Sequence, residues 1–315
     1  MQIVQAPRAS AILYHLLKSQ GNANPWFLPA NICPIVPITF FKAGIPFELV
    51  DISARTLHMD LEQVRGRLER GPYGGVLYAH TYGEPSTPDS FFRQVKSQFP
   101  NLLLVDDRCL CVPDLEPEQN MAADVALYST GYAKVVELDF GGYAFLKENV
   151  AYKPERLPFQ PEDLDAIEKG YKGAIQARAP YIYMDCDWLQ TDADLPAWEA
   201  YRRNIETGLR ASLEHRDTIN EIYARNLPPE VQLPQGYQTW RFNLRIKNQR
   251  QVLAAIFTSG AFASSHYASL AGVMAPGDCP QARILAKEIV NLFNDHHFDP
   301  QKAELVCAVI LENCN

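Results

Sequence analysis

The 315-residue sequence is short of several features that would place it at once. No Gly-x-Gly-x-x-Gly follows any apolar run that reads as a strand, and the first strand-to-helix turn holds no glycine. That removes the fingerprint of nucleotide-binding dehydrogenases and methyltransferases. No apolar run approaches a membrane span, and Met1-Gln-Ile-Val-Gln carries no signal-peptide pattern, so a cytoplasmic location is the expectation. Positive charge is scarce: 29 Lys and Arg face 37 Asp and Glu, for a net charge of -8. This balance argues against nucleic-acid and anionic-membrane partners, and any anionic ligand must meet a local group of cations.

Paired cysteines are lacking too. The seven are scattered and odd in number, as reduced thiols would be. Cys109-Leu-Cys111 has no second pair to complete a metal site, and none is expected there. His296-His297 are adjacent rather than four apart, so their rings would not share a helix face. They read as surface residues near a turn.

What is present is an ordinary globular composition, 47% apolar and 21% charged, long enough for one large α/β domain and a smaller one. Apolar runs at Ile3-Val4, Trp26–Leu28, Phe47–Asp51, Gly75–Ala79 and Leu102–Asp107 read as strands. Helical segments separate them, among them one capped by Asp60 and one from Pro88 to Phe99. This alternation up to about residue 150 is the pattern of a mostly parallel sheet. Further helices are expected at Pro161–Arg178, Pro196–Asn226, Cys279–Val290 and Pro300–Leu311. Tyr237–Ile246 alternates like a half-buried strand, with Arg241, Asn243 and Arg245 on one face. The expected division is 1–200 and 201–315.

The chemistry centres on Tyr128-Ser-Thr-Gly-Tyr-Ala-Lys134-Val-Val-Glu-Leu-Asp-Phe-Gly141-Gly142. A polar connection between two apolar runs carries a single lysine, a placement that suits an amine meant to form an imine in a pocket. Upstream, Leu102–Val105 ends in Asp106-Asp107. Carboxyl ends of parallel strands face the ligand crevice, where an aspartate can hold a pyridinium nitrogen while a lysine holds the aldehyde.

These residues resemble the DegT–DnrJ–StrS sugar aminotransferases, pyridoxal-phosphate enzymes of the aspartate-aminotransferase fold (fold type I). Ser129 lies five residues before Lys134, and Gly141-Gly142 lie seven and eight after it, as in that family. Ala43-Gly44 with Pro46, Tyr82-Gly83 and His266-Tyr267 echo other family positions. The resemblance implies a large mostly parallel-sheet α/β domain with a smaller C-terminal α+β domain. It implies Lys134 as Schiff-base lysine and proton shuttle, and Asp107 as partner of the ring nitrogen. Ala9, Ser10, Ser129, Cys33 and Tyr82 would surround the cofactor, pyridoxal 5'-phosphate. Arg8, His266, Tyr267 and Arg241 would meet the substrate.

The implied activity is transfer of an amino group from glutamate to a keto sugar, nucleotide-linked, by a homodimer. The chain departs from the pattern at several places. Arg8-Ala9-Ser10 stands where the family has Ser-Gly-Thr, and Ser10 reads equally as a helix cap. Cys33 replaces a stacking aromatic, and Leu110 a polar residue. Residues 179–188 lack the motif through which a partner subunit reaches the phosphate. The alternative is therefore a degenerate member that keeps the fold as a binding or regulatory subunit.

Overall fold

The structure, a computed structural model, describes residues 1–314. Seven strands form the main sheet: β1 (Gln2–Ala6), β2 (Trp26–Pro29), β3 (Phe47–Val50), β4 (Gly75–Ala79), β5 (Leu103–Asp107), β6 (Val125–Ser129) and β7 (Gly142–Leu146). Their spatial order is β1-β7-β6-β5-β4-β2-β3. Strands β2 to β6 pair in parallel, while β7 runs antiparallel to both β6 and β1. The mostly parallel sheet expected from the alternation of elements is therefore present. Its β1 and β6 point the same way, so their carboxyl ends open on one edge together with those of β2, β4 and β5.

Helices α1 (Ala9–Ser19), α2 (Ile35–Ala43), α3 (Leu61–Leu68) and α4 (Asp89–Gln98) connect these strands. The α1 helix is buried from Ala11 to Leu17, so its apolar residues serve the core all round. Helix α2 ends at Gly44, whose φ of 70° supplies the left-handed cap; its amide reaches the carbonyls of Phe40 and Phe41. Asp60 caps α3 by accepting from the amides of Glu62 and Gln63.

Helices α5 (Pro161–Ala177) and α6 (Trp198–Asn226) follow, and irregular chain flanks α5 at 151–160 and 178–197. Helix α6 contributes Tyr201 and Ile205 to the core behind the main sheet and Ile219, Ile222 and Tyr223 to a second core. That second core belongs to a three-stranded antiparallel sheet, β8-β10-β9, made of β8 (Phe242–Arg245), β9 (Ala263–Ser264) and β10 (Ile289–Leu292). Helices α7 (Gln249–Thr258), α8 (Pro280–Leu285) and α9 (Pro300–Asn313) complete it. No helix among the described residues is long and apolar enough to cross a membrane.

Two expectations need correction. The helix expected over Cys279–Val290 stops at Leu285, and Ile289–Leu292 is the central strand of the small sheet. The β-branched pair Ile289-Val290, fully buried between two neighbours, prefers the pleat. The half-buried strand expected over 237–246 is only β8, and both of its faces are covered as far as Leu244.

Candidate active site

The alternation of side chains along β5 separates its two carboxylates. Asp106 points with Leu104 into the core that also holds Tyr78 and Phe92, and Asp107 points with Val105 to the other face. Asp106 is fully engaged there: His80 Nε2 lies 2.6 Å from Oδ1 and Arg108 Nε lies 2.7 Å from Oδ2. These partners hold its carboxyl below the usual range against the opposing effect of burial. The other His80 nitrogen meets the Glu84 carbonyl at 2.7 Å, so this histidine is a satisfied buried residue. Arg108 continues to Asp114 at 2.8 Å, which explains a long cation after the aspartate pair.

Asp107 has a different fate. Its recorded hydrogen bond comes from the Cys109 amide at 3.1 Å, and among the described residues it has no ion-pair partner. It faces a cavity of about 390 Å³ at the carboxyl edge of the sheet. The neighbouring strand follows the same rule: Leu127 and Ser129 of β6 turn to the cavity while Tyr128 turns away to Asp114. Lys134, Arg8, Ala9, Ser10, Cys33 and Tyr267 also line this space. Burial pushes the Cys33 and Cys109 thiols up, with Lys134 opposing the shift in both cases.

Glycines 141 and 142 bring the wall of the cavity together. Gly141 has a φ of 94°, and a Cβ there would collide with the Tyr201 hydroxyl. A Cβ on Gly142 would lie 2.5 Å from the Ala9 nitrogen. The amino end of α1 can thus press against β7, and the Gly141 amide donates to the Pro7 carbonyl at 2.7 Å. The residue at the cap position of α1 is Arg8, without a side-chain cap bond, so Ser10 is not the helix cap. Ala9 and Ser10 line the cavity, and their amides open the helix without an acceptor within it, while the Ala11 amide is taken by the Arg8 carbonyl at 3.0 Å. Arg8 has no ion-pair partner among the described residues and brings a cation to the same place.

The loop bearing Lys134 is irregular but held carbonyl by carbonyl. Trp240 Nε1 donates to Ala133 at 2.7 Å, Arg216 donates to Lys134 at 3.0 Å, and the Ser212 hydroxyl donates to Val135. Arg216 also serves the Trp240 carbonyl and the Asn294 side chain. It is buried, its charge is met by neutral acceptors, and burial lowers its pKa to about 10. Lys134 itself has no ion-pair partner among the described residues, so its amine is available to the cavity.

Three expected site residues lie elsewhere. Tyr82 is completely buried in the core, where its backbone has a φ of 69°; Thr81 and His80 reach the cavity wall in its place. Arg241 is buried against Asp295 at 2.7 Å, with its guanidinium 4.0 Å from the Phe293 ring centre, and is not free to receive a ligand. His266 is exposed and does not line the cavity, whereas Tyr267 does, its ring stacked on Trp240.

The sequence reading missed the opposite wall. Leu164, Glu168 and Tyr171 of α5 and Trp188 from the following irregular chain line the cavity. The signal was available: positions 164, 168 and 171 share one helix stripe, and a carboxylate interrupts its apolar residues.

By sequence, the chain matches no family model and no curated protein. By structure it has many likenesses. A DegT DnrJ EryC1 StrS aminotransferase from Brucella abortus superposes with a TM-score of 0.70 at 15% identity, over 100% of this chain and 86% of that one. The fold is that of the sugar aminotransferases. Sugar aminotransferase CalS13 from Micromonospora echinospora gives 0.69 at 14% identity, over 98% of this chain and 87% of that one. Helicobacter pylori PseC, an aminotransferase involved in the biosynthesis of pseudoaminic acid, gives 0.72 at 10% identity over 100% and 87%. The likeness spans both sheets, as the offsets around Lys134 implied.

Proposed function

We propose that this chain is a pyridoxal-phosphate aminotransferase that moves an amino group from glutamate to a nucleotide-linked keto sugar. The observation that carries the reading is the meeting of an unpaired lysine, an unpaired aspartate, two serines and a helix amino end in one cavity. This donor set fits the cofactor: an amine for its aldehyde, a carboxylate for its ring nitrogen, and hydroxyls with backbone amides for its phosphate. When bound, the cofactor supplies an electron sink for the carbon that loses its proton.

The chain's own residues do the rest. Lys134 Nζ would hold the cofactor's aldehyde and serve as the amine that takes up and returns a proton, on a loop fixed by three bonds to its carbonyls. Asp107, which has no ion-pair partner among the described residues, would face the ring nitrogen from the cavity wall, while Arg108 is committed to Asp106. Ser129, Ser10 and the α1 amino end bind the phosphate. Arg8 offers its guanidinium to an anionic group of donor or nucleotide, and Tyr267 shapes the mouth. The cavity volume lies in the ordinary range for small-molecule sites. Ile182 and Met184, 82% and 76% exposed, suit burial against a second copy in a homodimer.

A test is direct. The purified chain, loaded with pyridoxal phosphate and given glutamate, is expected to release 2-oxoglutarate stoichiometrically and to return the amine to a nucleotide-linked keto sugar. Lys134→Ala should lower the rate by about 10²–10⁴. Release of 2-oxoglutarate with no sugar acceptor would leave the chemistry and remove the sugar. Cys33 and Leu110 in the cavity wall favour a second reading, a binding subunit without turnover. Tight cofactor binding with no release of 2-oxoglutarate would select it.

A further inference from the structure

We propose that Glu137, His296 and His297 form a binding site for a divalent transition-metal ion of the zinc class. The site would tie the lysine-bearing loop to the turn between β10 and α9. One ligand atom from each residue can be chosen so that all lie within 4.8 Å of one another. His297 Nε2 stands 3.7 Å from Glu137 Oε1, and the two imidazole ring centres are 3.8 Å apart. Adjacency in sequence argued against a shared face on a helix, but these residues sit in a turn, where neighbouring side chains can converge. Metal bonds of about 2.0–2.1 Å place tetrahedral ligand atoms roughly 3.4 Å apart. Torsion of the two exposed rings covers the remaining distance.

The surroundings are organised on both sides. The second Glu137 oxygen accepts the Ala133 amide at 2.9 Å, which orients the carboxylate, as outer partners orient metal ligands. The turn is braced from below: His215 Nε2 meets the carbonyls of Asp295 and Phe298 at 2.9 and 2.8 Å. Asp295 holds Arg241 through one oxygen and accepts the His297 amide at 3.2 Å through the other. Two imidazoles and one carboxylate suit zinc, cobalt or nickel rather than magnesium or calcium, and three protein ligands leave a position for water. Glu137 is three residues from Lys134, so an ion here would add a fourth anchor to a loop already held from α6 and Trp240. The inference stands apart from the proposed reaction.

The experiment is zinc titration of the chelator-stripped full chain against a chromophoric competitor, with cobalt as a spectroscopic probe. One zinc per chain is expected. Cobalt should give the intense visible bands of a four-coordinate site without thiolate charge transfer. Glu137→Gln and the double variant His296→Ala/His297→Ala should each weaken binding at least about tenfold. The two histidines are exposed and the Glu137 side chain is largely buried, and an unchanged circular dichroism spectrum would show that the variants fold. Equal zinc affinity in wild type and double variant, thiolate bands with cobalt, or no zinc bound would each overturn the proposal.

Discussion

Two irregular stretches face each other across the cavity, and they differ in how much of each is exposed. Residues 129–142 contain little regular structure, yet Ala133, Lys134 and Val135 each give their carbonyl to a donor from α6 or Trp240. Thr130 and Leu138 are joined as well, at 2.8 Å between backbone amide and carbonyl. Residues 151–197 are also largely irregular and are tied down around Trp188 and Leu189, where Lys42 donates to the Cys186 carbonyl at 2.9 Å, but Ile182 and Met184 lie open to water, and α5 buries only Ile167 and Tyr171. Irregular backbone is therefore no measure of rigidity; what decides is where its polar groups go. The pinned stretch carries the amine. The more exposed one carries Glu168 and Trp188, the wall against which a substrate would be read.

The strongest way to break this contrast is Arg216→Met. It removes the donor to five acceptors and leaves the carbonyls at Lys134 and Trp240 without it, so a loss of about 2–4 kcal/mol is expected in urea unfolding. A loss below about 0.5 kcal/mol would mean that the loop does not depend on this anchor. Gly142→Ala comes next. Its methyl would press on the amino end of α1, and overpacking of this kind costs about 1–3 kcal/mol, read from the denaturant midpoint. Phosphate affinity should fall with it, because the same contact shapes the α1 end of the cavity.

Acid should probe the core beside the cavity through His58, which packs against Tyr78, His80 and Tyr237. Burial, with His80 nearby, lowers its pKa from 6.5 to about 4. The unfolded chain then binds the proton first as pH falls, so stability drops from about pH 6.5 downward and levels off near pH 4. At pH 5 the loss relative to pH 7 should be about 2 kcal/mol, and a His58→Gln variant should lose that slope. A slope unchanged in the variant would remove His58 from the account. The smallest effect sharpens the other side: Ile182→Ser with Met184→Ser should change the stability of the monomer by no more than about 0.5 kcal/mol. Limited proteolysis should still cut within 178–197 before 129–142.

The sequence made the pinned half readable and left the other half obscure, for a physical reason. Lys134, Ser129 and Gly141-Gly142 sit at fixed offsets along one strand–loop–strand unit, so local spacing carries their roles. The resemblance implied Asp107 rather than Asp106, and the face of β5 supplies the physical reason, because alternation assigns one carboxylate to each side. Arg241 looked available because its partner, Asp295, is 54 residues away and no local pattern announces that pairing. Tyr82 looked like a cofactor contact, but tertiary packing buried it. The small sheet was partly hidden because β10 follows a helix directly, and its β-branched pair was the only cue. Glu168 belonged to a helix that could be read, but the surface it faces could not.

The most direct test of the central claim is to load the chain with pyridoxal phosphate, reduce it with borohydride and map the labelled peptide. A single label on Lys134, lost in Lys134→Ala, is the expected result. A label distributed over surface lysines such as Lys172, or no label at all, would contradict the account.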